Sequence, residues 1–478
     1  MQNWMKAVIP LAIAVLLWLL PVPQGLEPNA WAYFAVFIGV VVALVLQPLP
    51  GAAVGLLGVT VAALLQLVPQ ANGNAATPGS SLQWLLSGFG NSTVWLIFCA
   101  FMFSMGYEKT GLGKRIALWL MKKMGRTALG LGYAVSLADL ALAPFTPSNT
   151  ARSGGTIYPI ARNIPPMYQS FPDSDRRKLG AYLMWTCLAS CSVTSSMFVT
   201  ASTPPMLAIT MVHNANPSLP AITWMEWFIA VAPACILLFV VTPLLAYFLY
   251  PPTQKKSPEA PKWAAGELEK LGPITRREIT MALIALSALA MWIGGDKFMT
   301  ATMVGIVAVC LLVLFGVVSW DDIIGNKGAW NTFVWFATLI SMASGLGRVG
   351  FVKWFSDYSA NFFTGYSTIV IMVGMMAVFY FAHYFFASLV AHVVAMLPVM
   401  LATAAIIPDL NIRVFGMMLI GTVGLMSMLT PYAGGPSGIY YNSGYITSKE
   451  FWTLGAIFGV IYFAVYAVIS LVWMPMVL

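Results

Sequence analysis

Apolar runs of about 17–25 residues follow one another along nearly the whole 478-residue chain, each long enough for a helix to cross a hydrocarbon core about 30 Å thick. Charged residues make up 8% of the chain and hydrophobic ones 59%, against roughly 25% charged in a soluble domain. The outer surface must therefore face lipid, and the chain reads as an all-α polytopic membrane protein with no large extramembrane domain. The first run, near residues 7–22, is read as a helix and not as a signal peptide, because no small-residue cleavage site is clear and more spans follow.

The net charge of +8 does not point to nucleic acid, since the basic residues lie in loops without a DNA- or RNA-binding pattern. They report topology instead. Sixteen of the 24 Lys and Arg fall in residues 109–126, 161–180 and 251–279, which places those segments on the cytoplasmic side. The matching segments of the second half, 348–360 and 406–415, carry only Arg348, Lys353 and Arg413, so they are expected on the opposite side. Cys99, Cys187, Cys191, Cys235 and Cys310 all sit inside apolar runs, which indicates neither a disulfide framework nor a metal site, and no cofactor is implied.

These sides are satisfied by eleven crossings, near 7–22, 30–47, 51–69, 92–108, 179–212, 225–250, 280–295, 299–318, 330–347, 412–445 and 450–475. Two further stretches, 127–162 and 361–406, must enter and leave on one side, and are read as re-entrant helical hairpins. The N-terminus is then inside and the C-terminus outside. Residues 251–279, rich in Pro, Lys and Glu, read as a cytoplasmic linker between halves.

The halves repeat. Trp95 and Trp335, and Ser104 and Ser344, lie 240 positions apart, and Gly111 with Gly350 and Lys114 with Lys353 lie 239 apart. Ser148-Asn149-Thr150-Ala151-Arg152 recurs 240 positions on as Ser388-Leu389-Val390-Ala391-His392. With opposite charge bias in the two halves, the repeat is inverted, and broken segments at matching positions of an inverted repeat are a mark of secondary transporters.

In the first hairpin, Pro144 and Pro147 stop the entering helix and Ser148-Asn149-Thr150 opens the returning one. Hydroxyl and amide groups at a helix start, together with its positive dipole end, make an anion cradle. An ordinary N-cap is the plain alternative; the copy at Ser388 argues against it. Two unwound segments are expected to face the tips: Thr200–Pro205, and Thr430–Gly438 with Tyr432. Free backbone at membrane depth is tolerated only against protein or a wet cavity; a simple proline kink is the alternative. Arg152 and His392 are cationic or protonatable at a depth where a charge costs at least about 2.5–3.5 kcal/mol, and they imply an anionic ligand. Alternatively Arg152 binds hairpin carbonyls or the intramembrane acid Asp139, and His392 is a neutral hydrogen-bonding residue. His383 and His213 have no partner in the repeat and read as structural. The chain offers no selectivity-filter repeat and no catalytic motif, so neither a channel nor an enzyme is expected.

SNTARSGGTIYPI (148–160), FAHYFFASLVAH (381–392) and TPYAGGPSGIYY (430–441) together resemble the divalent anion:sodium symporter family over the whole chain. They look like its exchanger branch, the 2-oxoglutarate/malate translocators and citrate/succinate or tartrate/succinate antiporters. The resemblance implies a bacterial inner-membrane homodimer in which a scaffold carries an elevator-type transport domain. The scaffold would comprise 1–126 and 280–360. The transport domain would comprise 127–212 and 361–445, with 213–250 connecting and 446–478 as the last helix. It also maps Ser148, Asn149 and Thr150 onto one carboxylate-binding motif and Ser388 onto the start of the other; Thr203, Thr430 and Tyr432 of the unwound segments are read as helpers. Leu389-Val390 departs from the family pattern: sodium-coupled members carry an amide and a hydroxyl there. Arg152 and His392 would then take the electrostatic place of sodium, giving sodium-independent exchange of di- or tricarboxylates such as malate, succinate, fumarate, 2-oxoglutarate, tartrate or citrate. A sodium- or proton-coupled symporter of the same fold, with Asp139 as proton carrier, is the alternative.

Overall fold

The computed structural model describes residues 3–215, 220–295, 297–359 and 366–478. Among them the regular structure is helical throughout, with two isolated bridges in place of strands. Seven helices are long and apolar enough to cross a membrane: Pro28–Leu46, Pro78–Thr110, Ala128–Phe145, Trp224–Leu249, Arg276–Gly294, Thr368–Phe385 and Ser448–Val477. Shorter apolar helices, among them Gly51–Leu64, Ala301–Leu314 and Leu389–Ala404, fill the space between. Hydroxyl and amide side chains cap many of the starts. Thr223 with Glu226, Thr275 with Glu278 and Thr447 with Glu450 close reciprocal capping boxes, which fix where a long apolar run begins winding.

The repeat is visible as an order of elements. In the first half, Ser92–Thr110 leads to the amphipathic Leu112–Met124, then Ala128–Leu142, a tight turn at Ala143–Phe145, and a return from Thr150. In the second, Lys327–Arg348 leads to Phe351–Ser359, Thr368–Phe381, a turn at Ala382–Phe385 and a return at Leu389–Ala404. Gly111 and Gly350 close the first helix of each series with φ of +73° and +81°, the left-handed region where a Cβ is costly. Their 239-residue spacing in the sequence thus marks equivalent helix ends. The start of the second hairpin, expected at 361, lies partly outside the described residues.

Two expected long helices are broken. Gly180–Met197 stops, residues 198–202 make a short turn, and Thr203–Ala215 resumes. Ile412–Gly421 is likewise followed by a turn at Leu425–Met428, an irregular stretch, and Gly435–Asn442. Both helices resume sooner than the sequence suggested, at Thr203 and Gly435, because Pro204, Pro205 and Pro436 fall within the first turn of the resuming helix, where a missing N–H costs nothing. Gly180–Met197 is buried along its entire length, including Thr186, Ser190, Ser192, Thr194, Ser195 and Ser196. It is surrounded by protein on all sides, and its small hydroxyl residues allow close helix approach.

Residues 251–279, expected as a linker, are partly helical and docked. They contain the helix Glu259–Leu271, which packs on Leu112–Met124. Ser257 donates to the Gly125 carbonyl at 2.7 Å, and Arg115 binds both Glu278 and the Gly272 carbonyl. Lys270, and more weakly Lys114, hold the Glu267 carboxyl below the usual carboxylate range. The hydrophilic composition was legible; the docking was not, because it depends on long-range pairing.

Candidate functional site

The two hairpin tips are built alike. Ser148 Oγ accepts from the Ala151 N–H at 3.2 Å, and Ser388 Oγ accepts from the Ala391 N–H at 3.3 Å. One residue further, the N–H of Arg152 bonds the Ser148 carbonyl at 2.9 Å and that of His392 bonds the Ser388 carbonyl at 3.0 Å. Both serines therefore act as caps. The N–H groups of Asn149, Thr150, Leu389 and Val390 lie in first turns, where a helix supplies no carbonyl partner, and the dipole of each returning helix adds positive potential there. The first return winds as a π-helix over Thr150–Ile157, a form that concentrates at functional sites.

Both tips reach the second helix break. A Cβ added to Gly435 would lie 2.0 Å from Thr150 Oγ1, and one added to Gly434 would lie 3.8 Å from Leu389 Cδ1. The backbone of Gly434-Gly435 thus runs between the first tip and the second, at a distance only glycine permits on the Thr150 side. Helix Gly435–Asn442 starts here without a side-chain cap. Thr203 begins the other resuming helix.

Arg152 is fully buried and ion-paired. Its Nε donates to Asp139 Oδ2 at 3.1 Å, Nη1 to the carbonyls of Thr146 at 3.1 Å and Ala201 at 2.6 Å, and Nη2 to Thr194 Oγ1 and Ser195 Oγ. Thr194 also donates to Asp139 Oδ2 at 2.5 Å. Of the two readings of Arg152, the arrangement is that of the alternative, with hairpin carbonyls and Asp139 as partners: the charge is matched inside the hairpin, and the guanidinium ties both hairpin arms to the first helix break. His392 is differently placed. Neither ring nitrogen has a protein partner, and the ring is walled by Phe379, Phe386 and His383. Asn149 Nδ2 and Thr430 Oγ1 are also buried without a partner, whereas the Tyr432 hydroxyl donates to the Tyr384 carbonyl at 3.0 Å and its side chain stays 43% exposed. Buried polar atoms normally find partners, so Asn149, Thr430 and His392 are left with hydrogen-bonding capacity that the protein itself does not use.

The sequence model described as "Sodium:sulfate symporter transmembrane region" matches residues 1–478. The chain belongs to the sodium:sulfate symporter family. Within the curated relatives, it is 47% identical over 486 residues to the L-tartrate/succinate antiporter of Escherichia coli K12, covering 100% of this chain and 99% of that protein. The identity to the protein of the same description from Shigella flexneri is also 47%. Among solved structures, the Alcanivorax borkumensis YdaH transporter aligns with a TM-score of 0.60 at 12% identity, over 89% of this chain and 97% of that one. MtrF of Neisseria gonorrhoeae aligns with a TM-score of 0.52 at 9% identity, over 88% and 94%. At such identities only the fold is shared.

This member of the sodium:sulfate symporter family also has a cavity of about 300 Å³ beside the first hairpin, lined by Ser104, Lys114, Thr146, Thr156, Trp263 and Glu267 among others. None of Ser148, Thr150, Ser388 or His392 lines it, so it flanks the tips and does not join them. Thr194 and Ser195 were not singled out in the sequence. Their signal was the charge-free run of hydroxyl residues in 186–200, which reads as packing until Arg152 is placed against it.

Proposed function

We propose that the protein is a dicarboxylate antiporter, with one carboxylate held at each hairpin tip. The observation that carries the reading is the meeting of two serine-capped helix starts on one glycine segment, in a chain 47% identical to an L-tartrate/succinate antiporter. L-Tartrate and succinate are four-carbon dicarboxylates, and two opposed cradles suit an anion charged at both ends. Ser148, Asn149 and Thr150 would hold the first carboxylate through side chains and free N–H groups. Ser388 and the N–H groups of Leu389 and Val390 would hold the second, with Thr203, Thr430 and Tyr432 on the flanks.

Charge supports exchange over sodium symport. Leu389 and Val390 offer no side-chain oxygen for a cation. With Arg152 matched by Asp139, the positive potential of an empty site comes from the helix starts; His392, buried among rings without a counter-ion, adds none. A bound dianion cancels that potential and lowers the barrier to crossing; an empty site keeps it. The remaining architecture we propose is that of the inverted repeat: eleven crossings and two re-entrant hairpins, a transport domain moving like an elevator against a scaffold, a homodimer embedded in lipid in the inner membrane, N-terminus inside and C-terminus outside.

A binding assay tests the two-cradle site. Purified protein should be stabilised by succinate or tartrate at 100 times the Kd by about 2.7 kcal/mol, read as a rise in melting temperature. Butyrate at the same concentration should give no rise. Equal stabilisation by butyrate would mean that one carboxylate suffices and would overturn the reading.

A further inference from the structure

The two helix breaks are fastened to their hairpins in the same way. In the first half, Thr200 Oγ1 donates to the Pro144 carbonyl at 2.5 Å, and the next residue's carbonyl, Ala201, accepts from Arg152 Nη1 at 2.6 Å. In the second, the Tyr432 hydroxyl donates to the Tyr384 carbonyl at 3.0 Å, and the next residue's carbonyl, Ala433, lies 2.9 Å from His383 Nε2. Pro144 and Tyr384 are 240 positions apart and lie within the turns Ala143–Phe145 and Ala382–Phe385 that end the entering arms. Each clamp is thus a hydroxyl-Ala pair in the break, bonded to one turn and to one nitrogen-bearing side chain of the hairpin. A proline follows each alanine by three residues, Pro204 and Pro436, and supplies no N–H to the free carbonyl. A buried carbonyl left so requires a side-chain donor.

Because a carbonyl only accepts, His383 must carry its proton on Nε2. The ring is fully buried, and it stands edge-on to His392 with centroids 5.1 Å apart. We infer that His383, not His392, is the mechanical counterpart of Arg152: a positioning residue that locks the second hairpin to its helix break and thereby fixes the second carboxylate cradle. The inference rests on the reading of the two tips as carboxylate sites. It explains how Leu389 and Val390, whose side chains offer no polar group, present their N–H groups at a set distance from Gly434-Gly435.

The test compares His383→Leu, which removes the donor, with His383→Gln, whose amide can reach the same carbonyl. Succinate exchange in proteoliposomes should show KM raised about 10-fold in His383→Leu with the maximal rate retained, as expected for one buried carbonyl left unpaired; His383→Gln should return to within about 3-fold of wild type. Hydrogen–deuterium exchange of residues 429–438 without substrate should quicken in His383→Leu and in the half-exposed Tyr432→Phe, and not in His383→Gln. Equal behaviour of the Leu and Gln variants in both assays would overturn the clamp. A wild type that exchanges no dicarboxylate would instead remove the functional reading, and the hydrogen-exchange comparison would still decide the clamp.

Discussion

Arg152→Ala is expected to abolish exchange. The guanidinium satisfies the carbonyls of Thr146 and Ala201 and balances Asp139, so its loss frees the first tip from its helix break and leaves a carboxylate buried without its cation. Removing one partner of a buried ion pair costs about 3–5 kcal/mol, and a melting experiment in detergent should show that drop. If only part of this, about 3 kcal/mol, reaches the loaded site, substrate affinity falls roughly 100-fold. The double substitution Asp139→Asn/Arg152→Ala separates charge from positioning. It should regain most of the lost stability, since no unpaired charge remains, and stay inactive, since Thr146 and Ala201 still lack their donor. Exchange at wild-type rate in Arg152→Ala would remove this residue from the mechanism.

Gly435→Ala is expected to have the second large effect. The new methyl would meet Thr150 Oγ1 at 2.0 Å and its Cβ and Cγ2 at 2.9 Å, so either the first tip or the break must move. Overpacking of this kind costs about 1–3 kcal/mol, and here it falls on a residue proposed to hold a carboxylate. Succinate exchange should drop at least about 10-fold, mostly through KM. Gly155→Ala on the same hairpin meets no atom within 4 Å and should exchange like wild type. Equal rates in the two variants would show that the approach of Gly435 to Thr150 is not needed.

Much of this was legible in the sequence because it rests on local rules. The apolar runs, the prolines ahead of Ser148, and the 240-residue recurrence of a capping serine each follow from the chemistry of a few neighbouring residues, and the helix starts at Ser148 and Ser388 are where those rules put them. Long-range pairing was not legible. Arg152 stood in the sequence as a charge at membrane depth, with Asp139 only one of several partners; the Ala201 carbonyl and Thr194 come from a helix more than 40 residues away in sequence. His383 was set aside for want of a repeat partner at a fixed offset, yet its hydrogen bond answers to that of Arg152 through a different position on the hairpin. The likeness between the halves lies here in the bonds made, which a residue offset does not track. The docking of 251–279 was hidden for the same reason: its composition describes its solubility, not the helix on which Glu259–Leu271 packs.

The most direct measurement is uptake of radiolabelled succinate into proteoliposomes, preloaded with tartrate or empty, each with and without an inward sodium gradient. Uptake is expected only into preloaded vesicles, with no response to sodium. Sodium-driven uptake into empty vesicles would contradict sodium-independent exchange.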